Sequence, residues 1–575
     1  MKTKTSIALS AAAILMAGCS ANTGGNAQQT PSERIKADQI GYNAKSVKIA
    51  IVPEGASDDF QVVDIQDNVV YKGKTSAAAS WWASGTSVKQ ADFSDFDQPG
   101  VYTIRCEGAE KSYPFAIGDN IYTDLAIAAT KSFYFARSGV EITQEHGGKY
   151  ARPAAHPDTQ VKVHKSAAGP KRKEGDIISS PGGWYDAGDY NKYIVNSSIT
   201  VWEMLNAVEL HPDFAKSLNL NIPESGNNIP DIVDELLYNL RWMITMQDPA
   251  DGGVYHKLTA LGFNGMIMPQ DDKDERYVVQ KSTAAALDLA ATCAKAYRVL
   301  APYDAELPGL RDSLMKTAEK AWGWAQKNPT ALYERNPEGV MTGQYNDSFI
   351  RDEFTWAAIE MTLATGDAKK YISVITKEDF DFATPAWDSS SVLGVMSALN
   401  NPEYKSKFEP ELYDFMKDGL VKLADQYLND YQRSSYATPL ASFVWGSNSV
   451  AANQGIVLAA AYRVTGNTKY LEAAQADLHY ILGRNPLDYC YVTGFGVKTV
   501  KDVHDRRSVA DGIDNPVPGY LCGGPNATAK GDIPDSLYQY NTPAMRYCDI
   551  NRSYTTNEIA INWNAALIGL VFDVN

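Results

Sequence analysis

The sequence predicts two folded parts, an N-terminal antiparallel β-sandwich followed by a much larger all-α domain built as a helical barrel or toroid. Three observations predict it. Short alternating apolar segments, punctuated by Gly, Pro, Asp and Asn, fill residues 34–118. From Ile121 the apolar spacing turns helical and stays so for about 450 residues. Within that region glycines recur just after helical runs and before Asp or Asn, as at Thr365-Gly366-Asp367 and Thr465-Gly466-Asn467. A glycine C-cap followed by a fresh N-cap is how one helix of an αα-hairpin ends and the next begins.

The elements follow in order. Residues 1–19 carry Lys2 and Lys4, an apolar run over 7–16, and then Ala17-Gly18-Cys19. This reads as a secretory signal too short for a lasting membrane span. Small residues directly before a cysteine are similar to a bacterial lipobox, which would make Cys19 the lipidated N-terminus. Residues 20–33 are rich in Ser, Asn, Thr, Gly and Gln, as a flexible tether is. Residues 34–118 hold strands at 48–52, 60–64, 69–71 and 101–104, and about seven short strands in about 85 residues make a sandwich. It contains no acid pair or metal cluster and is read as an accessory or stabilising module, a buttress if its interface with the barrel is apolar. Residues 119–575 form the helical domain. Its runs at 282–300, 354–365, 453–464 and 469–482 are apolar around much of their circumference, so they are buried rather than surface-lying. Loops between such helices would line one face and carry function.

Composition excludes more than it nominates. A net charge of −16 argues against nucleic acid or an anionic membrane surface, both of which demand clustered Lys and Arg. The chain is rich in Tyr and Trp, with 33 and 11, which serve either packing or sugar stacking. Beyond Cys19 five cysteines remain, without CxxC spacing, so the sequence shows neither a zinc ribbon nor a disulfide framework. They are read as free thiols, with one bridge among Cys490, Cys522 and Cys548 left open.

The chemistry sits in Gly182-Gly183-Trp184-Tyr185-Asp186-Ala187-Gly188-Asp189-Tyr190-Asn191-Lys192-Tyr193. Two carboxylates three residues apart can divide the work of activating a water. The aromatics around them offer flat faces for sugar rings. Alone, the segment also reads as a solvated turn. A second cluster at the far end, Thr555-Thr556-Asn557-Glu558, supplies the remaining acid that glycosidic hydrolysis requires.

Taken together with Asp251-Gly252-Gly253-Val254-Tyr255-His256-Lys257, Thr493-Gly494-Phe495-Gly496, His504-Asp505-Arg506 and Gly523-Gly524-Pro525-Asn526, these segments resemble glycoside hydrolase family 9, in that family's order. The stretch from Ile35-Lys36-Ala37-Asp38-Gln39-Ile40-Gly41-Tyr42 to Phe115 is similar to the immunoglobulin-like domain that precedes the catalytic domain in one branch of these cellulases. The resemblance implies an (α/α)6 barrel and hydrolysis of β-1,4-glucans with inversion, the acid and base carboxyls standing roughly 6.5–9.5 Å apart. Carried over by position, Asp189 is the general base, Asp186 holds the water, and Glu558 is the general acid. His504 and Arg506 match the element that hydrogen-bonds sugar hydroxyls. Asp505 departs from the family's Pro-His-His-Arg pattern and would add negative charge near the sugar. Trp356, Trp445, Tyr345 and Trp563 are candidate stacking platforms, each equally readable as core.

The chemistry requires no cofactor. Some members bind zinc through cysteines and histidines after the first helix. Arg137-Ser138-Gly139 and Ala154-Ala155-His156 contain no cysteine, so a thiolate zinc site is not expected. Asp352, Glu353 and Asp388 resemble a family calcium site and supply hard oxygen ligands. The expected protein is therefore a monomeric inverting endo-β-1,4-glucanase, held at a bacterial cell envelope, at the outer membrane by the lipobox reading, only through its lipid. Xyloglucan or mixed-linkage glucan as substrate and exo-action are the alternatives within enzymes. A non-catalytic surface glycan-binding lipoprotein is the alternative outside them, and retention of all three acids argues against it.

Overall fold

The computed structural model describes residues 32–575. The expected leader, Cys19 and all but the last residues of the expected tether lie outside the described residues. Eight strands form the sandwich: β1 Gly41–Asn43, β2 Ile49–Pro53, β3 Asp59–Asp64, β4 Val69–Lys74, β5 Ala79–Trp81, β6 Thr86–Asp92, β7 Gly100–Cys106 and β8 Phe115–Gly118. They order as β1-β8-β7-β3-β4 and β2-β6-β5. The sandwich is not wholly antiparallel, because β1 runs parallel to β8. These two strands are separated by the rest of the domain instead of a tight turn, so no hairpin dictates their direction.

Strand β2 explains how the two parts join. Ala50 and Val52 enter the sandwich core, whereas Ile49 and Ile51 belong to the core of the helical part, together with Trp81, Ala83 and Val88. A period of two places alternate residues on opposite faces, and here both faces are covered. The buttress reading of the module therefore has its apolar interface. Polar bolts flank it. Asp38 accepts from the amides of Ile40 (2.8 Å) and Gly41 (3.0 Å) and from His479 Nδ1 (2.8 Å). Gln39 donates to Asp488 O (3.0 Å) and accepts from the amides of Val497 (2.8 Å) and Lys498 (2.9 Å).

The helical part is a closed double ring. Helices Ile194–Leu210, Thr283–Val299, Arg351–Thr365, Ser391–Leu399, Ser447–Thr465 and Ile561–Val574 pack each against the next, and the last returns to the first. They are buried nearly all round, which is why their sequences show apolar residues and alanines on every face. Outside them lie Thr123–Ala136, Asp231–Thr245, Leu310–Lys327, Pro410–Arg433 and Thr468–Ile481. This is the (α/α)6 architecture. Gly366 and Gly466 occupy the left-handed C-cap positions expected of them, at φ 77° and 75°. The second predicted hairpin is complete. The first is not, because the helix restarting after Gly366 spans only Ala368–Tyr371.

One element escaped the sequence reading. Strands β9 Val161–Val163, β10 Ile177–Ile178, β11 Lys192–Tyr193, β12 Lys257–Thr259 and β13 Tyr277–Val278 form a small sheet at one mouth of the barrel, in the order β10-β9-β13-β12-β11. Strands of two or three residues leave no readable alternation. The five described cysteines are free, four of them buried.

Candidate active site

The catalytic-loop candidate 182–193 runs from left-handed glycines into β11 and then into the helix beginning at Ile194. Gly183, at φ 81°, lies so close to Trp242 that a Cβ would come within 2.7 Å of its ring. Gly188 lets the loop touch its partner segment: a Cβ there would stand 2.2 Å from His504 O. The loop's aromatics are scaffold. Trp184, Tyr185, Tyr190 and Tyr193 are buried, and Trp184 Nε1 donates to Glu235 at 2.8 Å. The expectation that they face sugar is therefore corrected.

The far cluster arrives beside this loop through backbone pairing. His504 N donates to Asn557 O at 2.8 Å, and His504 and Glu558 face each other in a parallel bridge. Gly523 N donates to Glu558 O at 2.9 Å, and Arg506 N donates to Gly188 O at 3.1 Å. Residues hundreds of positions apart thus meet on one side of the barrel mouth: Asp186 and Asp189 on one strand of contact, His504, Arg506 and Glu558 on the other.

Each carboxyl has a distinct environment. Asp186 is buried and accepts from Asn196 Nδ2 at Oδ1 and from the Tyr345 hydroxyl at Oδ2, both at 2.6 Å. Burial first, and then the Asp189 charge, push its carboxyl up to about 7. Asp189 accepts from the Asn191 amide and from the Tyr193 hydroxyl at 3.4 Å, both at Oδ2. Its Oδ1 is buried and takes no hydrogen bond, which leaves an acceptor for a water proton. Glu558 is raised well above the ordinary glutamate value by desolvation, then by Asp189 and Asp186, with Arg506 and the Gly188 amide pulling the other way. A carboxyl held protonated beside ionisable partners has the environment of a general acid.

His504 donates from Nδ1 to Asn551 O at 2.6 Å. A carbonyl only accepts, so the proton is on Nδ1 and Nε2 is left as an acceptor. Burial lowers its pKa and keeps the ring neutral. Arg506 braces the loop, donating to Gly188 O at 2.7 Å and Asn264 O at 3.0 Å. Asp505 does not face the sugar side. It is fully buried, caps the helix Arg506–Ala510 through Ser508, and accepts from Arg507 Nε at 2.8 Å. The expected extra charge is thereby neutralised.

The platform candidates divide. Trp445 is half exposed and lies 5.5 Å from Tyr554, itself 5.7 Å from His504. Tyr345 is drawn into the acid cluster through Asp186. Trp563 is half-buried, with its indole against Gly446 and Gly523. Trp356 is corrected: at 1% exposure it is a core residue of the inner ring. Asn191, Asn196 and Lys257 were not singled out by sequence. Asn191 stands two residues after Asp189 and Asn196 ten after Asp186, a spacing that only the β11 turn into helix makes meaningful. Lys257 lies 5.4 Å from the centre of the Tyr193 ring, its ammonium lowered to about 7 by burial, against which Asp189 acts.

Asp352 and Glu353 are buried in the inner ring, and Asp388 is exposed. Glu353 interacts with Asp352, Asp347 and Asp288, and both its oxygens, both of Asp288, and one each of Asp347 and Asp352 carry no hydrogen bond. Clustered buried carboxylates with orphaned oxygens suit a hard cation in charge and donor type. Among the described residues, however, no three His, Cys, Asp or Glu side chains converge as a ready-made metal site. At the positions considered for zinc, Arg137 pairs with Glu235 and Glu224, and His156 lies against Tyr185 (2.7 Å) and Asp272 (3.1 Å).

Comparisons with known proteins follow the same two-part order of the chain. Residues 122–571 match the model of glycosyl hydrolase family 9, and residues 30–111 match the cellulase N-terminal ig-like domain. The chain is 41% identical over 553 residues to a xyloglucan-specific endo-β-1,4-glucanase of Bacteroides ovatus, covering 94% of this chain and 93% of that one. It is 35% identical over 550 residues to endoglucanase D of Acetivibrio thermocellus, covering 93% and 82%. A solved Bacteroides ovatus GH9 structure superposes with a TM-score of 0.86 at 39% identity, over 95% of this chain and 99% of that one.

Proposed function

Because the chain belongs to glycoside hydrolase family 9, with an immunoglobulin-like domain ahead of its catalytic barrel, we propose that it hydrolyses internal β-1,4-glucosidic bonds with inversion. The observation that carries this is the convergence of Glu558 with Asp186 and Asp189 through the pairing of His504 with Glu558. Glu558, kept protonated by burial and two neighbouring carboxyls, gives its proton to the departing glycosidic oxygen. Asp189 takes a proton from water through its free Oδ1, and that water attacks the opposite face of the sugar. Asp186, clamped by Tyr345 and Asn196, orients the same water. His504 Nε2 accepts from a sugar hydroxyl, and Arg506 holds Gly188 and so the loop bearing both acids.

Two finer points belong to the same reading. Identity of 41% with a relative named xyloglucan-specific favours a branched glucan over plain cellulose. Timed product analysis on cellohexaose, xyloglucan and mixed-linkage glucan tests this. Mid-chain fragments should appear first, and xyloglucan should be cut fastest. Cellobiose or glucose alone from the earliest samples would replace endo- by exo-action, and binding without products would return the protein to the glycan-binding class. The orphaned oxygens of Asp288, Asp347, Asp352 and Glu353 favour a structural calcium in charge and donor type, although these side chains would have to draw together to hold it, and it would have no part in the chemistry. Calcium chelation should then lower the unfolding temperature, and an unchanged transition would remove calcium from the account.

A further inference from the structure

The β5–β6 hairpin of the immunoglobulin-like domain is pinned to the barrel close to the cleft. Trp81 is buried against Tyr436 (ring centres 5.0 Å) and Phe443 (5.9 Å). Thr86 Oγ1 lies 3.0 Å from the Tyr436 hydroxyl, Gln90 Nε2 donates to Ser434 O (3.3 Å) and Ser435 O (3.2 Å), and Ala544 N donates to Ala83 O (2.8 Å). A turn held on both sides in this way presents its tip rigidly. That tip is Trp82, 64% exposed and edge-on to Phe443 at 6.4 Å.

Single exposed apolar residues need no explanation, but Trp82 does not stand alone. Phe443 leads directly to Val444, 45% exposed, and Trp445, 49% exposed. The Cα atoms of residues 443 and 445 are at most about 7.6 Å apart, two trans-peptide steps. Trp445 meets Tyr554, and Tyr554 meets His504 beside Glu558. An aromatic track therefore runs from the proposed acid out to the tip of the sandwich. Phe443 is buried beneath this track, and Trp82, Val444, Trp445 and Tyr554 are its exposed members. Indole and phenol faces suit the apolar faces of pyranose rings, and clustered exposed apolar side chains mark a ligand surface.

We propose that Trp82 is an outer sugar-stacking position, so that the immunoglobulin-like domain lengthens the cleft on the Trp445 side and holds the distal part of the same glucan chain. This rests on the function proposed above. Only a chain long enough to pass Trp445 reaches Trp82. The ratio of kcat/KM on polymeric glucan to kcat/KM on cellotetraose should therefore fall about fivefold in Trp82→Ala, the loss of one aromatic contact. Trp82→Phe should restore most of that ratio, and Ile65→Ala, an exposed apolar residue on the β3–β4 turn, should leave it unchanged. An unaltered ratio in Trp82→Ala, or an equal fall in Ile65→Ala, overturns the proposal. Wild-type protein that cleaves no glucan would instead overturn the reading of the cleft. Retardation of wild type and Trp82→Ala in gels containing glucan would then still decide Trp82, which predicts weaker retardation of the variant.

Discussion

Glu558→Gln is expected to lower turnover of unactivated β-1,4-glucan by roughly 10³-fold, the scale of a lost general acid, while leaving glucan binding largely intact. Glutamine keeps the shape of the side chain and removes the transferable proton. The decisive comparison uses an aryl glucoside whose leaving group departs without protonation, because there the variant should lose far less. The pH dependence gives an independent check on the sign. Glu558 must be protonated to act, so activity is present below its raised pKa and is lost as pH rises through it. Part of that rise comes from the Asp186 charge. Asp186→Asn should therefore move the alkaline limb of the pH–rate profile to lower pH, besides slowing the reaction. Near-normal turnover of glucan by Glu558→Gln, or an alkaline limb that Asp186→Asn leaves in place, would sink the assignment.

Asp38→Ala carries the largest expected effect on stability, roughly 3–5 kcal/mol for leaving three buried donors without their acceptor. Asp38 is fully buried, and so is His479. The variant strips the acceptor from two backbone amides and from His479 Nδ1, while the Tyr122 hydroxyl keeps Gly41 O at 2.7 Å. Burial already holds His479 below its ordinary pKa, so its neutral ring cannot compensate with charge. Since Ile49, Ile51 and Trp81 share the barrel's core, damage at this joint should destabilise the barrel itself. Thermal unfolding followed by barrel tryptophans and by residual hydrolysis should show one transition at a lower temperature. A barrel that melts as before, with only the sandwich loosened, would show that the two parts are energetically independent.

What was legible in the chain is what local chemistry decides. Gly366 and Gly466 announce helix ends because only glycine is at ease in the left-handed cap. The inner ring is announced by Ala-rich helices without a polar face, and the candidate catalytic carboxyls by motif. The clamp on Asp186 was not legible, because Tyr345 is 159 residues away and meets it only after the ring closes. Nor could the sequence separate Trp356 from Trp445, since both stand in apolar surroundings and only packing buries one and bares the other. Asp505 reads as a charge beside the sugar until the helix it caps and the Arg507 it binds are seen. The sequence by itself thus determined most of the elements and nominated the candidate acids, through patterns spanning a few residues. Tertiary structure alone decided which carboxyls are buried together with their pKa raised, which aromatic faces solvent, and that the β5–β6 turn packs on Tyr436 and Phe443, because burial and neighbouring charge are properties of position in the folded chain.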